Sequence, residues 1–187
     1  MNKTKVVLVP LHADDREQFI KDNQWAFKYG SMEEFGLRND QMEEEGEIIS
    51  RKTIEDSIDQ GEAYRIVCDG QIAGGVVIHV ETRRGFLDLL FTLPDVHSKG
   101  IGYGAWCEVE KLHPEVEIWE TFTPYFETRN IHFYVNKCGF HIVEFFNPFH
   151  KGPYEHMDSD KEDCGGTGMD FLFEKVVRKL TFLTYVR

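Results

Sequence analysis

The chain has 187 residues, 41% of them apolar and 13% aromatic, enough for one domain with a sizeable core. That composition excludes wholesale disorder. The formal net charge of −12 repels phosphate, so nucleic acid and anionic membrane surfaces are poor partners and a cationic small molecule is a better one.

No apolar stretch approaches the roughly 20 residues that cross a bilayer. The N-terminus, Met1-Asn2-Lys3-Thr4-Lys5, leads into a strand-like run and not into the apolar core of a signal peptide. The four cysteines, Cys68, Cys107, Cys138 and Cys164, form no CxxC pair. A soluble, reduced, cytoplasmic protein is expected.

Lys5 to Leu11 reads as a β-branched strand stopped near Pro10. Asp14, with Glu17 three residues on, matches a capping box that opens a helix carrying Phe19, Ile20, Ala26 and Phe27. Gly30 is expected to end that helix. The acidic run Gln41 to Glu47 suits a solvated loop or a frayed helix end. Ser50 can cap a second helix with Ile54 and Ile58 one turn apart, closed by Gly61. Ala63–Cys68 and Gln71–Val80 flank Asp69-Gly70, which favours a type I′ hairpin turn, and Gly74-Gly75 suggests a bulge. Thr82-Arg83-Arg84-Gly85 makes the next turn, followed by the strand Phe86–Leu93, ended by Pro94.

The pattern then changes. A glycine-rich loop over 97–104 runs into a helix through Ala105, Trp106, Val109 and Leu112. A strand at Glu117–Thr123, a helix from Thr128 to Lys137, and a strand at His141–Phe146 follow. Residues 147–168 lack periodicity and are expected to form a long exposed loop, before a last strand at Met169–Val177. With no internal repeat and no linker, residues 1–187 are expected to form a single α+β domain.

The loop His97-Ser98-Lys99-Gly100-Ile101-Gly102-Tyr103-Gly104 has the makings of a phosphate cradle. Glycines allow close approach and aim several N–H groups at one point, the helix N-terminus adds favourable charge, and Lys99 adds a cation. A tight turn with no ligand explains three glycines equally well. There is no G-x-x-x-x-G-K-[ST], and the spacing is G-x-G-x-G after an antiparallel meander, so P-loop and dinucleotide folds are disfavoured.

The stretch Leu87 to Gly102 (LDLLFTLPDVHSKGIG) resembles the central strand and pyrophosphate loop of the GNAT superfamily of N-acetyltransferases. Asn130 to Phe140 (NIHFYVNKCGF) resembles that family's following helix. The resemblance covers nearly the whole chain. It implies a mixed, mostly antiparallel central sheet flanked by helices, with two parallel strands, Phe86–Leu93 and Glu117–Thr123, splayed to hold acetyl-CoA as acetyl donor. Backbone contacts to pantetheine would fall on Phe91, Thr92 and Leu93, and pyrophosphate contacts on the amides from His97 to Gly104. Asn130 and Tyr134 would border the thioester. The family's loop usually begins with Gln or Arg where this chain has His97, which implies altered affinity and not loss.

The implied reaction is transfer of an acetyl group to a small amine, cationic if the net charge is a guide, by direct attack on the thioester. An alkylammonium must first lose a proton. Strict alternation places Phe86, Asp88, Leu90 and Thr92 on one face, which sets Asp88 among apolar neighbours, where desolvation favours proton uptake. Glu120 shares a face with Ile118 and Phe122 and is the other candidate. Either carboxylate can instead be a rim group paired with an Arg. Asp88 is preferred because it lies on the strand resembling the cofactor platform. Tyr134 is the candidate acid for the leaving thiolate, the bland alternative being a packed core phenol.

The scattered His150, His156, Asp158, Asp160, Asp163 and Cys164 match no zinc or calcium spacing, so no metal is expected. Trp25, Phe27, Met32 and Phe35 line an acceptor pocket or belong to the core. His79, His113, His132 and His141 show no pairing. The competing function is a non-catalytic acyl-CoA-binding or regulatory domain. A monomer or a homodimer is compatible with the sequence.

Overall fold

The computed structural model describes residues 5–35, 46–96, 100–152 and 169–177. Strand β1 (Val6–Pro10) is followed by a tight turn at Ala13–Asp15 and by helix α1 (Arg16–Phe35). His12, not Asp14, stands at the cap of the tight turn and makes no side-chain cap bond. The expected capping box therefore does not form. Nor does Gly30 end the helix, because Ser31 beyond it is still buried and tertiary packing outweighs the roughly 1 kcal/mol helix cost of glycine. The acidic run lies outside the described residues up to position 45.

Helix α2 (Arg51–Gln60) starts as expected, with the Thr53 amide donating to Ser50 Oγ at 3.0 Å. Strands β2 (Glu62–Cys68) and β3 (Gln71–Glu81) form the hairpin, and Asp69 and Gly70 take φ values of 50° and 83°. The first bulge falls at Ala73, since Ile66 pairs with Gly74 but Val67 with Ile72. Gly75 is required for packing: a Cβ there would lie 2.3 Å from the Phe19 ring.

Strand β4 (Arg84–Thr92), helix α3 (Ile101–Leu112) and strand β5 (Ile118–Pro124) build the centre. Helix α4 (Thr128–His132) continues into wider, π-type turns over Phe133–Cys138. Strands β6 (His141–Phe146) and β7 (Asp170–Val176) complete a seven-stranded sheet in the order β1-β2-β3-β4-β5-β7-β6. Among the described strands only β4 and β5 pair in parallel. The architecture is thus the expected α+β, mostly antiparallel sheet with helices on both faces.

Two apolar layers hold it. On one face Trp106 of α3, Trp119 of β5, Phe140 and Phe173 pack around Leu87, with the two indoles edge-on at 5.3 Å. On the other, Phe19 and Ile20 of α1 and Ile54 of α2 cover Val77, Leu89 and Phe91. Phe27 packs against this second layer, whereas Trp25 and Met32 are exposed. The site lies between the layers, where the sheet divides.

Candidate active site

The parallel pairing of β4 and β5 is short. It joins Arg84 to Ile118, Gly85 to Trp119 and Phe86 to Glu120, and stops there. Beyond Phe86, β4 stays with β3 as far as Thr92, while β5 stays with β7 along its whole length. The strands therefore part into a fork. A backbone carbonyl stranded at such a point needs a partner, and the Thr121 hydroxyl donates to the Leu87 carbonyl at 2.8 Å. Gly85 sits at the closed end, where a Cβ would meet the Trp119 ring at 2.4 Å.

A second bulge corrects the expected alternation on β4. Val77 pairs with Leu89 but Ile78 with Leu87, which leaves Asp88 as the extra residue. A bulge of this kind shifts the side-chain pattern by one. Leu90 then packs with Leu87 and α3, and Leu89 and Phe91 face α1 and α2. Asp88 does not share a face with Leu90 and Thr92.

Nor are the neighbours of Asp88 apolar. Its Oδ2 accepts from Ser57 Oγ at 2.5 Å, and His79 Nε2 lies 3.1 Å from the same oxygen. The carboxylate is 32% exposed. Glu120 behaves as a rim carboxylate, with Arg84 Nη1 2.9 Å from its Oε2.

Tyr134 comes from the opposite face. Its ring is held by Phe133, Phe140 and Phe173 at centroid distances of 5.4 to 5.7 Å. Thr121 and Thr123 of β5 lie on the side of its hydroxyl, and Thr121 in turn donates to the Leu87 carbonyl. Burial pushes the phenol up to about 12, opposed only in part by the two threonines. It keeps its proton at neutral pH. The neighbouring Cys138 thiol is also pushed up to about 12 by burial, so it offers no thiolate.

At the mouth of the fork, Gly100 caps α3 in the left-handed region at φ 74°, a conformation that favours glycine. The Gly104 amide donates to the Gly100 carbonyl at 2.9 Å, so it closes the first helical turn. The amides of Ile101, Gly102 and Tyr103 precede it and have no acceptor within the helix. Gly104 has a packing role, because a Cβ there would lie 2.9 Å from Val6 Cγ2 of β1. Thr92 flanks the same turn, its Cγ2 3.8 Å from where a Cβ of Gly102 would be.

His97, Ser98 and Lys99 lie outside the described residues. Phe91 buries its ring edge-on to Phe19 at 5.1 Å, and the Leu93 amide donates to the Ala73 carbonyl at 2.8 Å. Asn130 is exposed on α4, its Nδ2 3.4 Å from Glu127 Oε2.

The structure therefore brings Tyr134, Thr121 and Leu87 together and sets Asp88 on the other side of the same strand. Ser57 and His79 are residues that sequence reasoning missed. Reading Thr82-Arg83 as a two-residue turn would have paired His79 with Phe86 and set Asp88 diagonal to it. Among the described residues no cluster of three or more His, Cys, Asp or Glu is placed to hold a metal. None of their helices is long and apolar enough to cross a membrane.

Comparison with known proteins agrees with this fold. Residues 22–140 match the acetyltransferase (GNAT) family. The uncharacterized protein YrkN of Bacillus subtilis (strain 168) is 40% identical over 184 residues, covering 95% of this chain and 97% of its own. Among solved structures, the PaiA N-acetyltransferase of Thermoplasma acidophilum in complex with coenzyme A superposes with a TM-score of 0.64. It has 17% identity and covers 92% of this chain and 99% of its own. A GNAT family acetyltransferase from Elizabethkingia anophelis with acetyl-CoA bound gives 0.61, 11%, 95% and 100% respectively. At such identities these structures share the fold alone, but the family match spans more than half of the sequence. The chain belongs to the acetyltransferase (GNAT) family.

Proposed function

We propose that this chain is a cytoplasmic N-acetyltransferase of one domain, moving the acetyl group of acetyl-CoA directly to a small amine. The observation that carries the reading is the fork at Phe86 and Glu120, with a buried phenol beside Thr121 near its apex. A slot between two strands with a proton donor inside suits a linear thioester whose sulfur must leave. The residues present fit coenzyme A. The first-turn amides of Ile101, Gly102 and Tyr103, beside His97, Ser98 and Lys99, suit its pyrophosphate. The edge of β4 along Phe91, Thr92 and Leu93 suits its pantetheine arm. The complexes with coenzyme A and acetyl-CoA formed by similar folds support the same donor.

Asp88 takes a proton from the incoming ammonium, and the freed amine attacks the acetyl carbon. Tyr134 gives its proton to the departing sulfur. As the C–S bond breaks the nitrogen loses its second proton, which restores Tyr134 through water, and the proton taken by Asp88 is released, so ammonium and thioester become amide, thiol and one free proton. Direct transfer is favoured over a cysteine-borne acetyl group because Cys138 stays a thiol. The formal charge of −12 favours a cationic acceptor.

The test is thiol release from acetyl-CoA over a panel of polyamines, aminoglycosides, amino acids and peptides with free N-termini. Release above background with at least one amine supports the enzyme. Tight acetyl-CoA binding with no release would favour a binding or regulatory domain instead. With an active amine in hand, Tyr134→Phe is expected to lower kcat about tenfold or more. An unchanged rate would remove Tyr134 from the reaction.

A further inference from the structure

The polar cluster on the α2 side of the fork asks for an explanation. Ser57, in the last turn of α2, is buried, and its hydroxyl is spent on Asp88 Oδ2. His79 reaches the same oxygen from β3. A carboxylate in its ionised form has no proton to give, so against an ionised Asp88 this contact requires the proton on Nε2 of His79. The imidazole is held from behind as well: a Cβ at Gly61 would lie 2.9 Å from its Cε1, so the chain leaving α2 closes over the ring. Two donors from two elements thus meet on one oxygen, while Oδ1 of Asp88 has no hydrogen bond among the described residues.

Core packing does not require this arrangement. One oxygen is clamped by two donors, and the side chain, 32% exposed, leaves the other open on the bulged residue that follows Leu87 in the chain. We infer that Ser57 and His79 are positioning residues for acetyl transfer, fixing Asp88 through Oδ2 so that Oδ1 alone meets an acceptor arriving as an ammonium. This rests on the reading of Asp88 as the group that takes the amine proton. The proton passes from the ammonium to Oδ1 and on to water, and His79 keeps its own proton throughout.

The experiment compares His79→Ala, His79→Gln and Ser57→Ala in the full chain, with acetyl-CoA affinity by calorimetry beside steady-state thiol release. Glutamine places an N–H where the Nε2–H stood but cannot carry a proton as imidazole does. His79→Ala is expected to lower kcat/KM for the amine by about tenfold to a hundredfold, with acetyl-CoA affinity unchanged and most of the loss restored in His79→Gln. A loss below about twofold in His79→Ala, or a His79→Gln variant as slow as His79→Ala, overturns the positioning role.

A second measurement is independent of turnover. The 15N spectrum of the His79 ring in the coenzyme A-loaded chain should show the Nε2–H tautomer. It should lose that preference in Asp88→Ala, which has no acceptor for the ring. An Nδ1–H tautomer in the unaltered chain, or a spectrum indifferent to Asp88→Ala, overturns the clamp. If no amine releases thiol, the acetyl-transfer reading fails by itself while the ring spectrum still decides the clamp.

Discussion

Asp88→Asn is expected to lower kcat about a hundredfold or more with an active amine, within the range that a positioned base contributes. The amide keeps the size of the carboxylate and can still accept from Ser57 and His79, so the fold should be undisturbed. What it lacks is the ability to take a proton from an ammonium. Glu120→Gln is the companion measurement. Its carboxylate pairs with Arg84 at the closed end of the fork, so its loss should leave kcat within about twofold, as for an exposed ion pair of small worth. Steady-state rates with acetyl-CoA saturating decide between them. If Glu120→Gln is the slow variant and Asp88→Asn the normal one, the two assignments must be exchanged.

Arg65→Met should destabilise the protein by about 3–5 kcal/mol, the cost of breaking a buried ion pair from one side. Arg65 lies on β2 with only 4% of its side chain exposed. Its Nε and Nη2 bond both oxygens of Asp15 at 2.6 and 2.9 Å, and its Nη1 bonds Asp22 at 2.8 Å. The guanidinium also sits 5.1 Å over the Phe19 ring. One cation thus ties the start of α1 to the sheet. Methionine would fill the space and leave Asp22, which is largely buried, without its partner. Asp15 keeps a path to water, so the lower end of the range is the expected one. Urea denaturation reads the effect directly, with a fall in Tm on the order of 10 °C. A loss below about 1 kcal/mol would mean that the aspartates are rehydrated at little cost and that α1 is held by its apolar stripe alone.

Much of the architecture was legible locally. Ser50 before Arg51, Asp69-Gly70 between two alternating runs, and Gly139 after a helix with φ 80° each act on residues close by in the chain. Those signals stand where the sequence suggests. Gly30 and Asp14 mislead for a related reason: a propensity worth about 1 kcal/mol or less is overridden once the next turn has a core to join. Gly104 carries both a local and a tertiary meaning, and only the second, its contact with Val6, explains why no side chain stands there.

The candidate site divides along the same line. The order of elements, the glycine-rich turn before α3 and the placing of Tyr134 after β5 follow from residues near one another in the chain. By itself the sequence determined the fold class, the family resemblance and the phenol as a candidate acid. The bulge at Asp88 was decided elsewhere. No glycine or proline marks it, because it comes from the register between two strands that pack different layers on their two faces. That single extra residue turned Asp88 toward Ser57 and His79 and left Glu120 to Arg84. Periodicity describes a strand taken alone, whereas a bulge belongs to a pair of strands. What surrounds each carboxylate therefore became visible only in the tertiary structure.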